Sequence, residues 1–357
     1  MIGVLGGYGA VGATTALLLA GRGGSMRIGG RDGAAACTFV ADALDGDGEA
    51  WEVDAFDPDR LARFCRGCRI VVNCAGPSYL LRDRVARAAF AAGADYVDAA
   101  GDAAALAATE ATEATEGRTG VISAGMLPGL TGLLPRHLAG AAGAPVERLD
   151  VYTGGLDRLT PAAAGDFLLA GQEEQGASLA GWRGGGKVAR ALAPAHDVEL
   201  PYFPGPVTAY PYLSAEAERV AAELGLAEAR WYNVITGDRV LATASTATSA
   251  AEVARVAELE LAGRTPYYVL LFQLTGAHGT STLVVRTADS YALTAAVTAH
   301  AARAVLAGDV PAGLHHADAV LDPARVLADL EGVATAEITD AVAPIDLAAP
   351  AFEEGAL

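Results

Sequence analysis

Over the first 125 residues, short β-branched runs alternate with alanine-rich stretches of helical composition. Residues 2–5 are apolar enough for a strand buried on both faces, and residues 10–21 read as a helix. Weak strands follow at 27–29 and 51–53, with a helix at 58–65 between the second of these and the next strand. The run Arg69-Ile70-Val71-Val72-Asn73-Cys74 is the clearest parallel-strand signal. Residues 81–92 read as a helix, 96–98 as a short strand and 120–123 as a final strand. This alternation predicts right-handed βαβ units and a doubly wound parallel sheet of Rossmann type.

After Pro128-Gly129 the rhythm changes. Residues 147–153 alternate with period two, a long Gly/Pro-punctuated region follows, and 267–275 and 281–287 form antiparallel strands around Gly276-Ala277-His278-Gly279. Residues 291–307 are helical again, as are 323–330. The expected organisation is an α/β domain at 1–128, completed by helices from 290–357, and a second α+β domain at 129–289 with a mixed or antiparallel sheet. The second sheet offers a face for pairing two subunits, so a homodimer through residues 140–290 is expected.

Composition narrows the function classes. The 357 residues are 52% hydrophobic and 19% charged, which excludes a largely disordered chain. The net charge of −18 repels phosphate backbones and anionic bilayers, so neither nucleic acid nor a membrane surface is an expected partner. Apolar runs such as 13–20 are too short to span a bilayer. Met1 leads straight into a strand without a basic leader, and a cytoplasmic location is expected. Lys187 is the only lysine, which leaves one candidate for Schiff-base chemistry. Four cysteines, all in the first quarter, do not form a disulfide framework.

The segment Gly7-Tyr8-Gly9-Ala10-Val11-Gly12 fits the dinucleotide fingerprint G-x-G-x-x-G, directly after a strand and opening a helix. Gly7 permits the tight turn, Gly9 lets a pyrophosphate approach the backbone and Gly12 lets helix and strand pack closely. The helix N-terminus then faces the phosphates. The ribose-reading position, about 20 residues further on, falls in Gly29-Gly30-Arg31-Asp32. An acidic residue alone would favour NAD, whereas the Arg31 guanidinium suits a 2′-phosphate. NADP is therefore expected over NAD, with a solvated Arg31–Asp32 pair as the alternative. Asp54, just beyond the strand at 51–53, is assigned to the same side.

Other signals are weaker than they look. Gly181-Trp182-Arg183-Gly184-Gly185-Gly186-Lys187-Val188 lacks the Ser/Thr that a P-loop needs for magnesium, and no hydrophobic strand precedes it. Cys65-x-x-Cys68 lacks the further ligands of a zinc site and reads as small buried residues at a helix-to-strand junction. His315-His316 reads as a loop pair, and no metal site is expected.

The glycine segments at 6–9 and 29–32 resemble the NADP-binding domain of the saccharopine dehydrogenase-like family. Asn73-Cys74-Ala75-Gly76-Pro77, Ala92-Gly93-Ala94-Asp95-Tyr96-Val97-Asp98 and the stretch 125–129 are similar too, and Tyr152-Thr153-Gly154-Gly155-Leu156 resembles the Gly-Gly-Leu segment at the family's substrate cleft. The likeness is dense over the first 160 residues. Saccharopine-forming members read Gly-Leu-Asp-Pro-Gly, followed by an Asp-His pair, where this chain has Gly125-Met126-Leu127-Pro128-Gly129. The missing carboxylate argues against saccharopine and for a less polar substrate.

The resemblance implies NADPH-dependent hydride transfer to a C=N carbon of a small or carrier-bound metabolite. Reduction of C=C or C=O is the alternative enzyme reading, and a nucleotide-binding scaffold or sensor the alternative outside catalysis. Cys74, Ala75, Gly76 and Pro77 are assigned to the nicotinamide end of the cofactor. Tyr152, Asp98 and Asp102 are the candidate proton donors, with core packing and helix capping as their competing roles. Substrate contacts are assigned to Asp98, Gly125, Met126, Gly154, Gly155 and Arg158.

Overall fold

The computed structural model describes residues 1–21, 24–101, 117–143, 145–169, 176–237, 239–244 and 249–347. Two compact units divide the chain: Met1–Leu133 with Thr160–Asp166 and Asp289–Ala334, and Leu134–Leu159 with Phe167–Ala288 and Thr335–Leu357. In chain order the strands are β1 (Ile2–Leu5), β2 (Met26–Gly30), β3 (Gly48–Glu52), β4 (Ile70–Asn73), β5 (Asp95–Asp98), β6 (Thr119–Ile122), β7 (Val146–Leu156), β8 (Gly176–Ser178), β9 (Gly181–Arg183), β10 (Gly186–Val188), β11 (Ala195–Val198), β12 (Val207–Ser214), β13 (Glu228–Ile235), β14 (Tyr267–Gly276), β15 (Gly279–Thr287), β16 (Gly313–His316) and β17 (Ala334–Thr339).

The first unit carries a seven-stranded sheet in the order β16-β6-β5-β4-β1-β2-β3, parallel throughout. The strand order reverses between β1 and β4, the switch point of doubly wound sheets. Helices start where the sequence supplies caps. Asp57 accepts from the N–H groups of Asp59 and Arg60 ahead of Pro58–Cys65, and Asp289 caps Ser290–Ala307, which ends at the left-handed Gly308. Leu5, Phe64, Val71, Val85, Phe90, Tyr96 and Ile122 form one core between sheet and helices. Arg27 is buried with them; its guanidinium donates to the carbonyls of Phe64 and Arg66 and pairs with Glu49 at 2.8 Å.

Two local readings change. The helix expected over 81–92 is two helices, Ser78–Leu81 and Arg84–Ala91, because Arg82 takes φ 50° and breaks the run. His315-His316 is not a loop pair: it ends β16, in register with Val121 and Ile122 of β6.

The second unit holds a ten-stranded mixed sheet whose main path is β10-β9-β13-β7-β14-β15-β17. β7 is central, parallel to β13 and antiparallel to β14, and β14 and β15 are the hairpin expected from the alternation. Tyr152, Tyr232, Val269, Leu271 and Val284 are buried on one face. From Thr335 on, the described residues group with this unit rather than the first. Gln273 accepts from Ile345 N–H at 2.8 Å and donates to Ala343 carbonyl at 3.0 Å, so side chains of the sheet hold the segment in place.

Gly154 and Gly155 explain how three strands meet. A Cβ on Gly154 would strike the Val234 carbonyl of β13, and one on Gly155 the Tyr267 carbonyl of β14. Gly154→Ala is expected to destabilise the protein by about 3 kcal/mol in urea unfolding. Gly140→Ala, in a helix and facing open space, should be neutral or stabilising by up to about 1 kcal/mol.

Candidate cofactor site

The carboxyl ends of β1, β2, β3, β4 and β5 bring most of the expected cofactor residues together in the first unit. After β1 the chain turns through Gly6, at φ 73°, where a Cβ would sit 2.8 Å from Cys74 carbonyl oxygen and Ala75 nitrogen. A Cβ on Gly7 would lie 2.8 Å from Val4 carbonyl, and one on Gly12 would strike the Gly6 carbonyl. Ala13 N–H bonds Gly9 carbonyl and Thr15 N–H bonds Val11 carbonyl, so Gly9, Ala10 and Val11 wind into the helix Gly12–Leu19. No side chain caps that helix. The result is a main-chain cradle into which a pyrophosphate fits and side chains would not.

Tyr8 braces the cradle. Its ring lies over Gly30, where a Cβ would come within 2.5 Å of it, and its hydroxyl accepts from Asp32 N–H at 2.8 Å. Asp32 caps the helix Gly33–Ala43 by accepting from Ala35 N–H at 3.0 Å. It is therefore not paired with Arg31. Arg31, Glu52, Asp54, Asp57 and Arg60 line a shallow pocket. Arg60 pairs with Glu52 at 2.7 Å and Asp57 at 3.4 Å, while no hydrogen bond or ion pair among the described residues engages Arg31. Asp54 accepts from Phe56 N–H at 3.0 Å, which orders the turn after β3.

At the ends of β4 and β5 a buried network orders the other half of the site. Asp98 is 3% exposed and, among the described residues, accepts from Asn73 Nδ2 at 3.0 Å, Tyr96 hydroxyl at 2.5 Å and Ala100 N–H at 2.9 Å. Asn73 Oδ1 in turn accepts from Ala75 N–H at 3.2 Å. Burial pushes the Tyr96 phenol well above its ordinary range, and the neighbouring Asp98 pushes it further, so it stays a donor. Cys74 contributes its backbone; its thiol points at Thr15, and burial raises it to about 12. Cys65 and Cys68 are buried as the sequence implied, with both thiols raised by burial.

The sequence reading missed the next layer. Asp166 reaches the turn after β4 from 88 residues downstream in sequence: its Oδ1 accepts from Ser78 hydroxyl at 3.1 Å and Tyr79 N–H at 3.4 Å. Thr160 N–H donates to the Tyr291 hydroxyl and Thr160 Oγ1 accepts from Ala163 N–H, which starts the helix Pro161–Leu169. A Cβ on Gly76 would lie 3.5 Å from Ala162 Cβ and 3.6 Å from Asp166 Oδ2. Pro77 precedes the helix Ser78–Leu81. No local pattern announces Asp166; Asn73, next to Cys74-Ala75-Gly76-Pro77, was the detectable clue. Ser123, at φ 56° after β6, bonds Gly101 carbonyl and lies 3.0 Å from His316 Nδ1.

The remaining assigned residues fall elsewhere. Gly125 and Gly129 form a tight turn in which a Cβ on Gly125 would strike Ala99 carbonyl, and Met126 is buried rather than presented. Tyr152 belongs to the core of the second unit, fully buried and stacked on Tyr232 at 5.1 Å with rings 4° apart. Burial drives its phenol pKa up. Gly154 and Gly155 serve strand approach, and Arg158 is exposed beside Asp157. Asp102 lies outside the described residues.

Fold and cradle together define a dinucleotide-binding α/β architecture of the oxidoreductase type. Residues 2–121 match the saccharopine dehydrogenase NADP binding domain. Apo saccharopine dehydrogenase (L-Glu forming) from Saccharomyces cerevisiae has the same fold, at TM-score 0.66 and 14% identity over 95% of this chain and 99% of that one. More distant likenesses are a putative myo-inositol dehydrogenase from Sinorhizobium meliloti 1021 (TM-score 0.46, 11% identity, 86% and 88% covered) and the WlbA dehydrogenase from Thermus thermophilus in complex with NAD and α-ketoglutarate (TM-score 0.45, 14% identity, 91% and 94% covered). No curated protein matches the sequence.

Asp98→Ala leaves Asn73 and Tyr96 with buried donors unpaired. It should cost about 2–4 kcal/mol in urea unfolding and weaken nucleotide binding through the loosened Ala75 turn.

Proposed function

We propose that this chain is an NADPH-dependent reductase acting on a C=N bond of a small or carrier-bound metabolite. The observation that carries the reading is the glycine cradle at the β1/β4 switch point, with Arg31, just after β2, in no ion pair among the described residues. The backbone of residues 6–12 would hold the pyrophosphate, Arg31 the 2′-phosphate, and the turn 74–77 the nicotinamide end. Bound NADPH supplies the hydride.

The choice of C=N rests on where the proton comes from. Reducing a neutral C=O or C=C needs a proton delivered during the reaction, whereas a protonated iminium arrives with its own. Among the described candidates, Asp98 accepts from Asn73, Tyr96 and Ala100 and Tyr152 is sealed in a core, so neither suits proton delivery. Carboxylates at these strand ends favour a cationic acceptor. C=C and C=O acceptors belong in the same substrate screen as controls.

Thermal unfolding with saturating nucleotide tests the cofactor half of the reading. At 100 times the dissociation constant, binding adds about 2.7 kcal/mol, equivalent to several degrees at ~2–4 °C per kcal/mol. The shift should be large with NADPH and small with NADH, and Arg31→Ala should abolish the difference. A shift with NADH alone would overturn the NADP assignment, and tight NADPH binding without turnover of any acceptor would favour a sensor.

A cytoplasmic homodimer, paired through residues 140–290, is part of the same proposal. No helix among the described residues is long and apolar enough to cross a membrane. Light scattering at micromolar concentration is expected to give twice the 36.1 kDa chain mass.

A further inference from the structure

Among the described residues, Asp166 is a partly buried carboxylate near the turn after β4 that the architecture does not fully account for. Its Oδ1 accepts from Ser78 hydroxyl and Tyr79 N–H and so caps the short helix Ser78–Leu81. An amide oxygen would do that equally well. The negative charge is therefore surplus to capping, and it is costly. Burial pushes this carboxyl above its ordinary range, and Asp98 adds like-charge repulsion. Asp98 cannot take over its role, since three donors already occupy it.

The placement gives the charge something to act on. Asp166 Oδ2 faces Gly76, at the carboxyl end of β4, one strand from the glycine cradle of β1. With Arg31 at the far side, beyond β2, the adenosine half of a dinucleotide belongs over β2 and its nicotinamide half over β4. The two redox states of that half differ in charge. A hydride takes two electrons and one proton from the reduced ring to the acceptor carbon, leaving the ring with a positive charge; a protonated iminium becomes a neutral amine.

We propose that Asp166 is the group that stabilises the cationic, oxidised nicotinamide over the neutral, reduced one, biasing the bound cofactor towards hydride donation. The inference rests on the cofactor reading above and extends it to a positioned charge contributed from outside the 2–121 domain. A carboxylate within a few ångströms of a cation, in a partly desolvated site, discriminates between charge states and is nearly indifferent to neutral ligands.

Calorimetric titration of the full chain with NADP⁺ and, separately, NADPH tests this without knowledge of the substrate. Asp166→Asn keeps the shape and the acceptor for Ser78 and removes only the charge. It should raise the dissociation constant for NADP⁺ about tenfold and leave that for NADPH within about twofold. Asp166→Glu, which retains the charge, should keep the wild-type ratio; this second variant also separates loss of charge from loss of fit. Equal weakening of both nucleotides by Asp166→Asn, or no change in either, overturns the proposal while leaving the cofactor assignment intact. Failure of the wild-type protein to bind either nucleotide overturns both.

Discussion

Three donors converge on the carboxylate of Asp98, and the geometry of the cofactor site depends on that convergence. The group is almost wholly buried, and a buried charge without partners would cost several kcal/mol. Asn73, Tyr96 and Ala100 supply the compensation, and each supplies it from a different place: the end of β4, the middle of β5 and the loop beyond β5. Satisfying the charge therefore locks the relative register of two neighbouring strands at their carboxyl ends. Asn73 passes the constraint on by accepting from Ala75 N–H, so the turn that follows β4 inherits a defined shape. Ser78 and Tyr79 then present the donors that Asp166 meets.

On the other side of the switch point the constraint is steric. Gly6, Gly7 and Gly12 are packed against carbonyl groups of the same turn and of the strand end next to it, with no room for a Cβ. Backbone meets backbone there, and the surface left over is made of peptide dipoles rather than side chains. A phosphate needs such a surface, and a chain with net charge −18 has few other places to offer one. In the second unit the same device serves architecture instead. Gly154 and Gly155 let β13 and β14 close on β7, while Arg230 grips the buried Asp150 through two nitrogens, at 2.5 and 2.9 Å.

Much of this was legible before the fold was known. The parallel strands of the first unit, the hairpin at 267–287, the long helix near 291–307 and the glycine fingerprint all announce themselves locally, through period, capping residues and spacing. The seventh strand, β16, did not: four residues ending in two histidines carry no strand signature, and only pairing with β6 makes them one. Tyr152 illustrates the opposite failure. Its position beside Gly154-Gly155 suggested chemistry, yet the central place of β7 in its sheet leaves a tyrosine there no route out of the core.

The sequence by itself determined the α/β class, the cradle at 6–12 and its nucleotide specificity candidate Arg31, because each depends on residues close together in the chain. Only the tertiary structure decided which carboxylates matter. Asp98 is a satisfied structural anchor and Asp166 a held charge at the same strand ends, and that distinction turns on partners up to 88 residues distant. A side chain's solvation and the charges it faces are properties of the packed molecule. No local pattern encodes them.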